Sequence, residues 1–388
     1  MNHGNEIACN TRKGCSSDGS GVAAGYPVAV LGAGALGSFY GAVLAAAGCR
    51  VCLISRRPEH RARIREHGLT LVGPEGERLV HGLETATDAS QLPFVPRLLL
   101  VLVKSYDTET AISQAVPYLA PESLVLTLQN GLGNLEALEK YVSGERLLGG
   151  VSLVGANYLE PGRIRHTGFA ATALGSALGR HTPEAEEVGA LFRACGLPCR
   201  VTDNCRGLIW NKFLLNVSSN AIGALTRLPN KYLAVSGQAC AADEAGEPNE
   251  TCGTKPICAS GEAGGSGLVN ASDEACRPQI RSLMRALLDE ALAVARARGI
   301  RLEAPGEAYS LSQPEAVDLL ELALSVFRNT GENRVSMLQD VLAGRRTEIT
   351  ALNGAIVREA RQLGLAAPVN EMITNLVLLL EKSYLPEK

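Results

Sequence analysis

The stretch 26–55, YPVAVLGAGALGSFYGAVLAAAGCRVCLIS, decides the fold class. Tyr26 to Leu31 is a short apolar run with strand character, and Gly32-Ala33-Gly34-Ala35-Leu36-Gly37 follows it at once. Ser38 to Ala47 is alanine-rich and reads as helix; Arg50 to Ser55 reads as a second strand. A GxGxxG on its own is weak, because glycine turns are common. Strand, glycine loop, helix and strand within about thirty residues is the setting in which the pattern binds a dinucleotide. The three glycines then differ in what they do. Gly32 permits the tight turn, Gly34 lets a pyrophosphate approach the backbone, and Gly37 lets the helix lie on the strand. Ala35, Leu36 and Gly37 open the helix, where free N–H groups and the positive dipole end favour an anion. The bland alternative is a βαβ turn that binds nothing.

Moving outward, the second strand ends in Ser55-Arg56-Arg57. An NAD enzyme would carry an Asp or Glu there for the ribose 2′-hydroxyl, whereas arginine suits the 2′-phosphate of NADP. Arg56 is therefore a candidate cofactor ligand, although two arginines can also be a solvated turn. Leu98 to Val103 and Leu124 to Leu128 are continuous apolar runs, as inner parallel strands require. They end in Lys104-Ser105-Tyr106 and in Gln129-Asn130-Gly131. Ligands of an open parallel sheet bind beyond the carboxyl ends of its strands, so Lys104 and Asn130 join the candidates. From 147 to 174 the pattern alternates around a Glu160-Pro161-Gly162 turn, which predicts a hairpin extending or flanking the sheet. His166 in that hairpin is read as structural. A helix from Pro183 to Cys195 and a strand from Pro198 to Val201 close the first domain.

After Asp203, read as a helix cap, the chain is helical almost to its end. The stretch WNKFLLNVSSN, 210–220, has apolar residues at a period near 3.6, and Lys212, Asn216 and Asn220 form a polar row on one side. That row is about 12 Å long, enough to line a small-molecule pocket. The alternative is a snorkelling lysine and two satisfied core amides. Further helices are expected at Arg277 to Arg298, Gln313 to Phe327, Met337 to Gln362 and Asn370 to Lys382. Asn333 and Ser336 sit at a helix start, where polar side chains usually cap, and Glu348 is expected three turns along.

The chain has 388 residues, 46% of them hydrophobic and 20% charged, which fits two domains with sizeable cores. A net charge of −3 excludes an electrostatic case for nucleic acid or a membrane surface. Eleven cysteines at irregular spacings indicate neither a disulfide framework nor a metal site, so reduced thiols in the cytoplasm are expected. Residues 1–25 are polar, lack a signal-peptide core, and read as a disordered tail outside the fold. Residues 235–275, rich in Gly, Ala, Ser, Glu and Cys, read as an exposed insertion.

From about Val28 to Leu380 the chain resembles the ketopantoate reductase (2-dehydropantoate 2-reductase) family. The residues that carry the resemblance are GAGALG at 32–37, VKSYDT at 103–108, LQNGLGN at 128–134, WNKFLLNVSSNAIGAL at 210–225 and SMLQDVLAGRRTEITALNG at 336–354. The resemblance implies NADPH-dependent reduction of 2-dehydropantoate to (R)-pantoate, a step towards pantothenate and coenzyme A. It implies Lys212 as the proton donor and Glu348 as the acid that orients the substrate and supports the lysine. It implies Asn216, Asn220 and Ser336, with Asn333, as substrate ligands, Asn130 and Lys104 beside the nicotinamide, and Arg56 on the 2′-phosphate. The insertion is not part of the family pattern.

The expected architecture is a Rossmann-type α/β dinucleotide-binding domain at 26–202 followed by an all-helical domain at 203–388, with the active site in the cleft between them. The expected ligands are NADPH and a small 2-keto acid, with no metal, no nucleic acid and no membrane, and a homodimer is one assembly compatible with this. A reductase of a different branched 2-keto acid is the rival within the class. A non-catalytic NADPH-sensing regulator is the rival outside it, and the retained Lys212, asparagines and Glu348 argue against that.

Overall fold

The structure is a computed structural model and describes residues 20–166, 171–233, 277–304, 316–329, 331 and 333–385. The described residues form twelve strands, in chain order β1 (Pro27–Leu31), β2 (Arg50–Ile54), β3 (Leu69–Gly73), β4 (Gly76–Val80), β5 (Glu84–Ala86), β6 (Leu98–Val101), β7 (Leu124–Thr127), β8 (Leu147–Ser152), β9 (Ala156–Glu160), β10 (Arg163–His166), β11 (Thr172–Ser176) and β12 (Cys199–Thr202). Eight of them form one sheet in the order β12-β11-β8-β7-β6-β1-β2-β5. Strands β5, β2, β1, β6, β7 and β8 run parallel, and β11 pairs antiparallel with β8. The winding reverses between β1 and β6, so the glycine loop at the end of β1 stands at a topological switch point.

The continuous apolar runs have a direct cause. Val28, Val30, Leu98, Leu100, Leu124 and Leu126 face one core. Ala29, Leu31, Leu99, Val101 and Val125 face the other. Both faces of the central strands are buried, so no polar alternation survives in the sequence. The 147–174 region both extends and flanks this sheet. Strands β8 and β11 lie in it, while β9 and β10 turn at Glu160-Pro161-Gly162 and join β3 and β4 in a four-stranded sheet. His166 packs its ring on Phe39, 5.3 Å between centroids.

The chain divides by contact density into two units. The first ends at Phe213 and takes in residues 300–304; the second begins at Leu214. The expected border at 202/203 thus moves into the helix Cys205–Thr226, because Leu208 and Ile209 pack against Val151 and Ala173 of the sheet. The fold also begins earlier than Tyr26. Residues Ser20–Ala23 form a short helix with Ala23 buried, and the Gly25 N–H donates to the Gly48 carbonyl. Residues 1–19 of the expected tail lie outside the described residues, as does the expected insertion at 235–275 with its cysteines.

The described part of the second unit is helical: the rest of Cys205–Thr226, then Asn230–Leu233, Arg277–Ala297, Ala316–Asn329, Ser336–Leu342, Asn353–Gln362 and Pro368–Lys382. Met284, Leu287, Leu288, Ala291, Leu292 and Ala295 give Arg277–Ala297 one buried stripe at helical spacing. The helix expected from Met337 to Gln362 is two helices. Gly344, at φ +60°, ends the first: its N–H donates to the Val341 carbonyl and the Arg345 N–H to the Asp340 carbonyl. That pair of bonds is a Schellman cap, so Glu348 lies in the connection and not three turns along a helix. Among the described residues, no helix is long and apolar enough to cross a membrane.

Candidate active site

The glycine loop is built as its sequence implies. Gly32 has φ +106°, and a side-chain carbon there would lie 2.5 Å from the Val103 nitrogen. Gly37 lies so close to the Gly32 carbonyl that a side-chain carbon would collide with it. Those two glycines are required by the fold itself. Gly34 is different, since a side-chain carbon at Gly34 would meet no atom of the described residues within 4 Å. Open space over that backbone, at the N-terminus of the helix Ala35–Ala46, fits the pyrophosphate of a dinucleotide. Ala35 and Leu36 form the first turn beside it. Ser38 on the same helix is braced from behind by the wholly buried His60, 3.0 Å from Oγ to Nε2.

Strand register gathers the other candidates. Leu31, Val101, Thr127 and Gly149 stand in one row across β1, β6, β7 and β8. Counting three residues onward from each member of that row gives Gly34, Lys104, Asn130 and Ser152. All four therefore occupy the carboxyl edge of the sheet. The loops there are cross-braced by side chains that sequence reasoning passed over. Gln129 Nε2 donates to the Val103 carbonyl (2.7 Å) and to Thr108 Oγ1 (2.8 Å). Thr108 Oγ1 donates to Asn134 Oδ1 at 2.9 Å. The Asn130 carbonyl accepts from Ser105 Oγ and Asn134 Nδ2, both at 2.9 Å. Asn130 Oδ1 is buried and has no hydrogen-bond partner among the described residues. A buried acceptor without a donor is rare, and at this edge it fits an N–H or O–H of a bound molecule.

Lys212 reaches the same edge. Its Nζ donates to the Ser152 carbonyl at 2.7 Å, at the end of β8. The helix holds it there through Trp210 and Phe213, both buried and packed edge to face at 5.4 Å. Between the loop after β7 and this helix lies a cavity of about 30 Å³ lined by Gln129, Leu132, Asn134, Arg206, Ile209 and Trp210. That is room for about one water, too little for a keto acid.

The second unit holds the remaining candidates. Asn216 and Asn220 follow Lys212 on the same continuous helix at intervals of four residues. Asn220 is buried; its Nδ2 donates to the Asn216 carbonyl at 3.2 Å. Its Oδ1 accepts from Ser336 Oγ at 3.1 Å and from the Met337 N–H at 3.3 Å. Ser336 thus does not cap its own helix; Asn220 satisfies that helix's start from outside. Asn333 is half-buried just before it, and its carbonyl accepts from the Asn230 N–H at 2.9 Å. Glu348 is buried, with its own carbonyl capping the turn Ile349–Ala351. Asp203 is the expected cap of the long helix, but Asn204 does that work, accepting from the Gly207 N–H at 3.1 Å.

Arg56 stands at the end of β2 with its side chain 82% exposed, and its Nη2 lies 2.6 Å from Asp107 Oδ2. No acid adjoins Arg56 in sequence; the fold brings one. The signal for these missed residues is present in part. Gln129 and Asn134 lie inside LQNGLGN, and Ser105, Asp107 and Thr108 inside VKSYDT. Ser152 carries no signal, because it contributes only a backbone carbonyl.

Comparison with known proteins identifies the family. Residues 28–179 match the family model "Ketopantoate reductase PanE/ApbA", and residues 266–381 match "Ketopantoate reductase PanE/ApbA C terminal". A 2-dehydropantoate 2-reductase of Halobacterium salinarum is 33% identical over 92% of this chain and 99% of its own. That of Archaeoglobus fulgidus is 29% identical over 90% and 96%. Among solved structures, a PanE/ApbA family ketopantoate reductase from Ralstonia eutropha is similar at a TM-score of 0.71 and 30% identity, covering 92% of this chain and 99% of that one. D-mandelate dehydrogenase, solved with NADH and anilino(oxo)acetate, shares the fold at a TM-score of 0.73 and 23% identity, covering 92% and 99%. The chain belongs to the ketopantoate reductase PanE/ApbA family, a family of oxidoreductases that work with a nicotinamide dinucleotide.

Proposed function

We propose that the protein reduces 2-dehydropantoate to (R)-pantoate with NADPH. The observation that carries the reading is the Lys212 ammonium at the same sheet edge as Gly34, Lys104 and Asn130. When bound, the nicotinamide dinucleotide supplies a hydride to the substrate's carbonyl carbon. Charge then gathers on the carbonyl oxygen, and Lys212 Nζ both offsets that charge and gives it a proton. The Ser152 carbonyl fixes Nζ at the edge, so little reorganisation is needed at the moment of transfer. The buried Oδ1 of Asn130 accepts a hydrogen bond from a ligand, and Lys104 lines the cofactor side.

Asn216 and Ser336, with Asn333, are assigned to the substrate's carboxylate and hydroxyl, and Asn220, expected from the family resemblance to join them, is assigned to holding Ser336 in place by a direct bond. Glu348, a buried carboxylate, is assigned to substrate orientation. Arg56 supports NADPH over NADH, because a guanidinium complements a phosphate by charge-assisted bonds. Free thiols at Cys49, Cys52, Cys195, Cys199 and Cys205 support a cytosolic setting. The test is NADPH oxidation across a panel of 2-keto acids, from 2-dehydropantoate to 2-oxoisovalerate, pyruvate and benzoylformate. The kcat/KM for 2-dehydropantoate should exceed every other by at least about tenfold, the discrimination that one well-placed polar contact provides. Equal rates across the panel, or a faster rival, would contradict it.

A further inference from the structure

Arg56 follows β2, and Asp107 lies in the turn Ser105–Asp107 after β6. In the sheet β1 stands between those two strands, so the ion pair bridges residues on either side of the strand that leads into the glycine loop. Asp107 occupies the N-cap position of the helix Thr108–Ala115, where an aspartate normally accepts from the helix's first N–H groups. It makes no such bond. Its carboxylate goes to Arg56 instead, at 2.6 Å.

We propose that Asp107 narrows the cofactor preference, by competing with a 2′-phosphate for the Arg56 guanidinium. The inference rests on the dinucleotide-binding reading above. A phosphate arriving at Arg56 meets a carboxylate already on Nη2, and like charges at close range repel. A ribose 2′-hydroxyl has no such conflict, since it can donate to the carboxylate. Arg56 favours NADPH, Asp107 reduces the margin, and the chain accepts both dinucleotides. Arg56 is exposed and Asp107 half-buried, so the effect is modest and weakens with salt.

Isothermal titration with NADP⁺ and NAD⁺ tests this without reference to turnover. Asp107→Asn should tighten NADP⁺ by about two- to fivefold at low salt and leave NAD⁺ unchanged or weaker, a range set by exposed charge pairs. In an Arg56→Ala background the same change should move NADP⁺ by less than about twofold, because the group competed for is gone. Asp107→Ser, which keeps a capping hydroxyl, repeats the arm if the amide variant melts early. An unchanged NADP⁺/NAD⁺ ratio in both Asp107 variants overturns the proposal and leaves the reductase reading intact. Weaker NADP⁺ binding also overturns it, making Asp107 a support for Arg56. A folded, unmutated protein that binds neither dinucleotide overturns both.

Discussion

Lys212 and Asn220 sit eight residues apart on one helix, in one polar row, and the structure treats them differently. Lys212 is half-buried and reaches a backbone carbonyl at a sheet edge where a ligand is expected. Asn220 is buried, and both ends of its amide are engaged by Asn216, Ser336 and Met337. Equal spacing on a helix therefore does not mean equal roles. On the reading proposed above the Lys212 end serves the chemistry, while the Asn220 end holds another helix's start in place.

The largest effect is expected at Lys212. Lys212→Ala should lower kcat by about 10²–10⁴-fold, the usual range for losing a positioned general acid. Lys212→Arg should recover little of it, because a guanidinium keeps its charge near neutral pH but is too weak an acid to release a proton. Full recovery by arginine would reduce Lys212 to a charge and break the contrast with Asn220.

His60 extends the comparison, because it too is wholly engaged. The Gly162 N–H donates to its Nδ1 at 3.0 Å, so the ring proton sits on Nε2, facing Ser38 Oγ. Burial, with Arg57 adding to it, pushes its pKa down to about 4. In the unfolded chain it titrates near 6.5, so between those values the unfolded state binds the extra proton. The contribution of neutral His60 is fully present above about pH 6.5 and is lost as pH falls towards 4, amounting to about 3 kcal/mol. Urea melts from pH 7 to 4.5 should show that slope, and His60→Gln should flatten it. A slope unaffected by His60→Gln would contradict the assignment.

The smallest of these effects is expected at Asn220. Asn220→Ala leaves the Met337 N–H and Ser336 Oγ without their acceptor, which costs about 1–3 kcal/mol. Substrate KM should rise together with that loss of stability, since Ser336 is held through Asn220. Chemical denaturation and KM measured on the same variant check it. A higher KM at full stability would make Asn220 a direct ligand with no holding role and sharpen its likeness to Lys212.

The α/β class is legible because each glycine of GAGALG, and each apolar run, answers to a local rule. The hairpin β3–β4 is not, as β4 exposes most of its residues and shows no buried alternation. The helix expected from Met337 to Gln362 is broken by Gly344, whose φ of +60° is invisible among apolar residues that keep a helical period across it. At the site, Lys104 and Asn130 can be placed on one edge from strand ends alone, and Lys212 can be singled out by its spacing. Asp107 cannot, since it meets Arg56 from 51 positions away. Ser152 cannot either, since its contribution is a carbonyl that every residue possesses.

The proton-donor role of Lys212 is tested most directly by taking melting temperature, NADPH dissociation constant and kcat on a single Lys212→Ala preparation. The melting temperature should stay within a few degrees of the unmutated protein, corresponding to roughly 1 kcal/mol or less. NADPH affinity should be nearly unchanged, because the glycine loop and Arg56 are proposed to hold the far end of the cofactor, while kcat falls by about 10²–10⁴-fold. Normal turnover at full stability, or a protein that melts early yet turns over normally where folded, would contradict that role.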